Sequence, residues 1–182
     1  MDRLETPRLL LEKWRVRDAQ ALYEYASDPA VGPPAGWKPH ASVRESKRII
    51  RKVFIPGDVW KIVLKETGRP VGSIGFDADR RRPTIRSREL GYSLSRSCWG
   101  QGLMPEAVQA VLEYGFVFLS LDLIAVTTGP DNLRSQRVIE KAGFHYEGTE
   151  RLAYRIYDNS IRDLRCYSLL SEEWRALQPV SL

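Results

Sequence analysis

The stretch "SCWGQGLMPEA", Ser97 to Ala107, sets Gly100 and Gly102 one residue apart, then Pro105 and Glu106, where a strand-like run gives way to a helical one. Upstream, "RELGYSLS" alternates Leu90, Tyr92 and Leu94 with Glu89, Gly91 and Ser93, which is strand period. Downstream, Ala107, Val108, Val111, Gly115 and Phe118 form one helical stripe, widened by Leu112, Phe116 and Leu119, with Gln109 and Glu113 on the wet side. Pro105 suits the first helical position, because its missing N–H would be unpaired there anyway. The free N–H groups of such a turn, joined by those of a glycine-rich approach, converge on one point with partial positive charge, which suits a phosphate or diphosphate. Two glycines let that ligand touch the backbone. The chain lacks the Gly-Lys-Ser/Thr ending of a Walker A loop, and Pro105 stands where the third glycine of G-x-G-x-x-G would be. Taken alone, Gly-x-Gly also reads as a tight strand-to-helix connection.

Working outward, Arg8 to Trp14 predicts a first strand, and Asp18 caps a helix that puts Ala19, Leu22, Tyr23 and Ala26 on one face. "VGPPAGWKPH", from Val31 to His40, is a Pro/Gly loop; Ser42 with Glu45 is a capping box opening a basic helix to about Phe54. "DVWKIVLKE", "VGSIGFD" and "RELGYSLS" predict an antiparallel meander, and the Arg80–Arg88 run between the last two reads as a solvated loop or an anion site. Gly115 inside its helix costs about 1 kcal/mol relative to alanine, which implies close packing against a neighbour. "LDLIAVTT" is a buried strand, followed by a helix from about Asn132 to Ala142 with Gly143 as its C-terminal cap and Phe144 packing back. "RLAYRIYDNSIRDLRCYSLL" predicts a C-terminal hairpin turning at Asp158-Asn159. The sum is an α/β (α+β) chain.

At 182 residues, 43% hydrophobic and 28% charged, the chain predicts one domain over 1–182 with a core of its own. A net charge of +5 suits an anionic ligand or a solubilising surface. Two cysteines and two histidines assemble neither a disulfide framework nor a metal site. A reducing cytoplasm is the simplest home; the opening "MDRLETPRLLLEKW" lacks a signal-peptide core, and no run has the length of a membrane span. The basic helix with Arg44, Lys47, Arg48, Arg51 and Lys52 carries no interleaved aromatic platform, which argues against a nucleic-acid partner.

"SCWGQGLMPEAVQAV" closely resembles the R/Q-x-x-G-x-G/A loop and helix of the GNAT superfamily of acyl-CoA-dependent N-acetyltransferases. "GPDNLRSQRVIEKAGFHYEG" is similar to a second signature in its Rim-type, ribosomal-protein acetyltransferase branch, and "ETPRLLLEKWRVRDAQALYEY" and "RDLRCYSLL" fit the same branch, so the likeness spans nearly the whole chain. One departure is Ser97, with Arg96 beside it, where the pattern has Arg or Gln. The resemblance implies a GNAT fold, one twisted mixed sheet of about six to seven strands with helices on both faces. It implies acetyl-CoA as cosubstrate, no metal, and an amine acceptor, either a protein N-terminus or a small molecule such as an antibiotic, polyamine or amino-acid derivative. An acyl-CoA-binding or acidic-partner-binding domain without catalysis is the alternative of another class. The chain would act as a monomer or homodimer, by direct transfer in a ternary complex. Coenzyme contacts fall on Leu94, Ser95, Arg96, Trp99, Gly100, Gln101, Gly102, Leu103, Met104, Asn132 and Ser135.

The chemistry demands a neutral amine. At pH 7 an α-amino group is about one-tenth neutral, a lysine only about four parts in ten thousand, so lysine needs a general base far more. Glu89 is the candidate base, sharing a strand face with Gly91 and Ser93; its other reading is a strand-end carboxylate paired with Arg86 or Arg88. A backbone N–H near Leu94 is the expected oxyanion donor, with a β-bulge at Gly91 compatible. By resemblance Ser135 protonates the leaving thiolate and Asn132 orients pantetheine, Asp131 being available to cap the helix instead. Tyr154 is the alternative hydroxyl donor. An acyl-enzyme on Cys98 is the rejected route, since Cys98 lies in the phosphate loop, away from the thioester.

Overall fold

The computed structural model describes residues 2–178; the expected single domain over 1–182 extends beyond these at both ends. Strands β1 (Leu4–Glu5) and β2 (Leu9–Lys13) are followed by helices α1 (Ala19–Ala26) and α2 (Val43–Ile49), then β3 (Asp58–Leu64), β4 (Arg69–Ala78) and β5 (Ser87–Leu94). Next come α3 (Leu103–Glu113), β6 (Leu123–Thr128), α4 (Leu133–Lys141), β7 (His145–Arg155), β8 (Ile161–Leu170) and α5 (Ser171–Leu177). The strands form one eight-stranded sheet in the order β1-β2-β3-β4-β5-β6-β8-β7. Only the β5–β6 pairing is parallel, so the sheet is mixed as expected. The strand beyond the expected seven is β1, two residues folded back on β2 through the turn at Thr6, whose N–H bonds Leu9 O at 3.0 Å.

Pleat alternation divides the core between the two faces. Trp60, Ile62, Ile74 and Phe76 lie under Ala107, Val108, Val111 and Leu112 of α3, with Ile139 of α4 and Trp174 of α5 in the same cluster. On the other face Trp14, Leu22, Tyr25 and Ile50 pack together, with Val59 against them. On α1 the buried tyrosine is Tyr25, not Tyr23, because Tyr25 lies three residues beyond Leu22 on the inward stripe; its hydroxyl bonds Ser73 Oγ at 2.6 Å.

Several local expectations shift for identifiable reasons. Helix α3 starts two residues before Pro105, because Gly102 turns the chain into the helix from a left-handed conformation; Pro105 is still in the first turn, where no N–H is needed. At its far end Leu119 N–H reaches back five residues to Tyr114 O at 3.1 Å. That wider turn advances each residue by less than α-helical rotation, so Phe118, expected inward, is 68% exposed, and Leu119 is exposed with it. Ser42 caps α2 through Glu45 N–H at 3.2 Å, while the Glu45 carboxylate takes the Ala41 N–H at 2.7 Å, so the box closes one residue early. Helix α4 closes as expected: Gly143 N–H bonds Glu140 O at 3.1 Å and Phe144 N–H bonds Ile139 O at 3.3 Å. The last hairpin turns through three residues, with Ile156 N–H on Ser160 O at 3.0 Å and Asn159 left-handed at φ 69°.

Gly115 packs as tightly as its place in the helix implied: a Cβ there would stand 2.8 Å from Ile124 Cδ1 and 3.0 Å from Phe76 Cζ. Gly115→Ala should therefore gain helix propensity yet lose about 1–3 kcal/mol to overpacking. Urea unfolding checks this; equal or greater stability would show that the α3–sheet contact has slack.

Candidate active site

The site begins where the sheet parts. Strands β5 and β6 pair only at Ser87↔Leu123, Arg88↔Ile124 and Glu89↔Ala125. Beyond that point β5 stays on β4 as far as Leu94↔Gly72, and β6 stays on β8 as far as Thr128↔Arg165. The two central strands therefore diverge as a V with Glu89 at its vertex. The Ser95 N–H bonds Val71 O on the β4 side at 2.7 Å. Alternation then turns the N–H groups of Leu94 and Tyr92 the other way, into the gap. The β4–β5 register is continuous through Gly91, so the bulge expected there is absent; holding each strand by its outer neighbour splays the pair without one.

At the open end of the V, Gly100 and Gly102 have φ of 77° and 75°. A Cβ at Gly100 would meet nothing within 4 Å, so what excludes a side chain from the protein alone is the left-handed backbone, and the space before it is clear. No side chain caps the N-terminus of α3, so its first N–H groups, on Leu103 and Met104, have neither a cap nor a preceding helical turn. Gln101 Nε2 bonds Ser97 O at 2.9 Å, and the Trp99 indole N–H donates to Leu94 O at 2.9 Å. Ser95 is partly covered and Arg96 is exposed. Cys98 is buried in the core cluster.

A clamp that the sequence reading missed fixes this loop. Glu106 accepts from Thr6 Oγ1 at 2.5 Å, Arg8 N–H at 2.9 Å and Arg8 Nε at 2.7 Å, while Arg8 Nη1 donates to Gln101 O at 2.9 Å. Burial works against the Glu106 carboxylate, but the bonds from Thr6 and Arg8 prevail and hold its carboxyl below the usual range. Glu106 was legible only as a first-turn acidic residue; its partners lie about a hundred positions away in the chain.

A cleft of about 900 Å³ includes the vertex and is lined by Glu89, Tyr92, Asn132, Ser135 and Tyr154 among others, so it gathers residues that the sequence suggested separately. Glu89 accepts from Thr127 Oγ1 at 2.6 Å across the gap and lies 3.6 Å from Arg81 Nη1. Neither Arg86 nor Arg88 is its partner: Arg86 pairs with Asp122 at 2.8 Å, and Arg88 bonds Ser87 O. Ser135 Oγ bonds the Tyr92 hydroxyl at 2.9 Å. Burial pushes the Tyr92 phenol well above its usual range, with the Ser135 bond pulling weakly the other way. The alternation with Leu90 and Leu94 gives Tyr92 only a strand face; a tyrosine whose tip needs a partner when covered is the available signal for its bond to Ser135. Asn132, not Asp131, caps α4: its Oδ1 accepts Ser135 N–H at 3.2 Å, and its Nδ2 lies 3.5 Å from Pro34 O. The Asn side chain is thus engaged, because Asn132 itself occupies the cap position.

The opposite side of the cleft is equally built. Arg162 Nη1 donates to Pro33 O at 2.8 Å, and Tyr154 packs so closely on Gly36 that a Cβ there would meet its ring at 2.6 Å. The Val31–His40 loop thereby covers one side of the cleft, with Trp37 both lining it and packing against the α1–α2 core. The arginine run is mostly exposed, as a solvated loop would be, yet two of its arginines are tied to β7. Arg81 grips Glu150 through two bonds of 2.7 and 2.9 Å, and Arg82 pairs with Asp79 at 3.2 Å and with Glu147.

A parted mixed sheet with a glycine loop at the mouth of the V defines an acyl-transfer fold, and comparisons agree. The family model described as "Acetyltransferase (GNAT) domain" matches residues 8–145. The Bacillus licheniformis protein "Uncharacterized N-acetyltransferase p20" is 32% identical over 182 residues, 96% of this chain and 99% of that one. Ribosomal protein uS5-alanine N-acetyltransferase of Escherichia coli is 25% identical over 187 residues, 94% of this chain and 92% of its own. A GNAT-family acetyltransferase structure from Bacillus anthracis has a TM-score of 0.85 at 27% identity, covering 94% of this chain and 99% of its own. The chain belongs to the GNAT acetyltransferase family and is an N-acetyltransferase; the family uses acetyl-CoA. Among the described residues no helix is long and apolar enough to cross a membrane, and no group of three or more metal-ligating side chains forms.

Tyr25, raised to about 12 mainly by burial, gives a pH prediction. Its folded value lies above the unfolded value near 10, so its contribution to stability is complete below about pH 10 and is lost as pH rises through 12. Alkaline unfolding of wild type should be steeper than that of Tyr25→Phe between about pH 10 and 12. Parallel curves would contradict it.

Proposed function

We propose that this N-acetyltransferase passes the acetyl group of acetyl-CoA to the α-amino group of a protein N-terminus, by direct attack within a ternary complex. The observation that carries the placement is the V between β5 and β6, with unpaired amides at its mouth and Glu89 at its vertex. Backbone N–H groups of Gly100 to Met104, with Ser95, Arg96 and Trp99 around them, receive the diphosphate. Pantetheine then lies along β5 like an added strand and pairs with backbone groups at Leu94.

Glu89, directly or through one water, takes the proton of the attacking amine; the new N–C bond opens the thioester carbonyl to a tetrahedral oxyanion, whose collapse breaks the C–S bond and expels the thiolate. Leu90 N–H faces the same way but is taken up by the Glu89↔Ala125 pairing, so Tyr92 N–H is the first β5 donor left free in the gap. It is three residues, roughly 10 Å, from Glu89, whereas Leu94 is roughly 16 Å away, so we assign the oxyanion to Tyr92 N–H and pantetheine to Leu94. The departing thiolate takes its proton from Ser135 Oγ, which the Tyr92 hydroxyl can re-supply, both groups being neutral hydroxyls. Tyr154, exposed by 46% and set against Gly36, stands on the acceptor side and is the second candidate donor. Asn132 acts by fixing the first turn of α4 and with it Ser135.

The protein-acceptor assignment is supported by the E. coli relative's name and by the modest need of an α-amine for a base. A small-molecule acceptor is the second reading, favoured by the pinned Pro33–Gly36 segment, which narrows the cleft entrance.

Thiol release from acetyl-CoA, measured over a panel of amines, tests the acceptor. Peptides beginning with Ala or Ser should turn over best; turnover confined to small amines would replace the first reading by the second. Glu89→Gln should slow a lysine-type acceptor at least tenfold more than an α-amine, and wild-type rates on both would remove Glu89 from the mechanism. Gly100→Ala, whose Cβ meets no atom within 4 Å but whose left-handed backbone costs about 1–2 kcal/mol, should still fold yet weaken CoA binding about tenfold or more by calorimetry.

A further inference from the structure

Arg134 is the second residue of α4, in a first turn with no acidic residue, where the positive end of the helix disfavours a cation. It is exposed, and its guanidinium carbon lies 4.4 Å from the ring centroid of Trp99. Trp99 directly precedes Gly100 and is itself anchored on Leu94 O through its indole N–H. Arg134 therefore reaches from the β6–α4 wall of the V to the loop on the opposite wall. Its recorded partner among the described residues is that aromatic face, with no carboxylate to neutralise it. The guanidinium stands at the first turn of α4 and next to the loop that leads into α3, whose Leu103 and Met104 amides have no side-chain cap, which makes a locus of positive charge. Arg81 and Arg82, by contrast, are already paired with glutamates.

We propose that Arg134 is a coenzyme-binding residue, its guanidinium engaging the diphosphate of acetyl-CoA from the α4 side while the Gly100–Met104 amides engage it from the other. The inference rests on the coenzyme placement proposed above. The planar guanidinium presents paired donors that match phosphate oxygens. The Trp99 face holds that plane within reach of the loop, so little freedom is lost when the phosphate arrives.

The experiment compares wild type, Arg134→Ala and Arg134→Lys with two donors, acetyl-CoA and S-acetyl-pantetheine, which carries the same thioester but no diphosphate. Arg134→Ala should raise KM for acetyl-CoA and Kd for CoA about tenfold, leave kcat within twofold, and match wild type with S-acetyl-pantetheine. Arg134→Lys should recover part of the loss, since it keeps the charge without the fork. Wild-type KM in Arg134→Ala with acetyl-CoA, or an equal loss with both donors, would overturn the role of Arg134 and leave the coenzyme placement standing. A wild-type protein that binds no CoA in the calorimeter would overturn that placement, and this inference with it.

Discussion

The separation of β5 from β6 beyond Glu89↔Ala125 is the constraint on which the rest depends. Each strand keeps its outer partner along its length, so the gap reflects two half-sheets that meet over three residue pairs and then part. Backbone N–H and C=O groups left along such an edge are costly to bury unpaired, by about 1–3 kcal/mol each, and an extended ligand with amides of its own satisfies them. Three side-chain contacts cross the V without filling it: Thr127 to Glu89, Tyr92 to Ser135, and Arg134 to Trp99. They set its width while leaving the backbone edge available.

Charge pairs fix the walls. On one side Glu106 joins the first strands to the glycine loop through Thr6 and Arg8. On the other, Arg81 and Arg82 tie the connection between β4 and β5 to Glu150 and Glu147 of β7, across the sheet from one half to the other. Such partly exposed pairs contribute modestly to stability one by one. Their value in the proposed coenzyme placement is geometric, because a ligand that spans the loop and the vertex needs their separation held.

The glycine loop, the strand before it and the helix after it were legible because their signals are local: alternation, a 3.6-residue stripe, and glycines followed by proline. The same holds for the Gly143 cap and for the tight packing of Gly115. What escaped depends on residues distant in the chain. The partners of Glu89 proved to be Thr127, which the parallel β5–β6 pairing brings across, and Arg81 of the β4–β5 connection, while Arg86, three residues before Glu89, turns to Asp122 instead. The Asn132 cap displaced the Asp131 expectation because the helix begins one residue later than a capping Asp131 would require. Phe118 failed as an inward residue because a wide final turn breaks the period on which the reading relied.

The most direct test of the account is a crystal structure of the protein with CoA. The diphosphate should lie about 2.7–3.2 Å from amide nitrogens between Gly100 and Met104, with pantetheine between β5 and β6 and its sulfur toward Glu89. A coenzyme bound elsewhere, or a V that closes into continuous β5–β6 pairing when CoA is present, would contradict it.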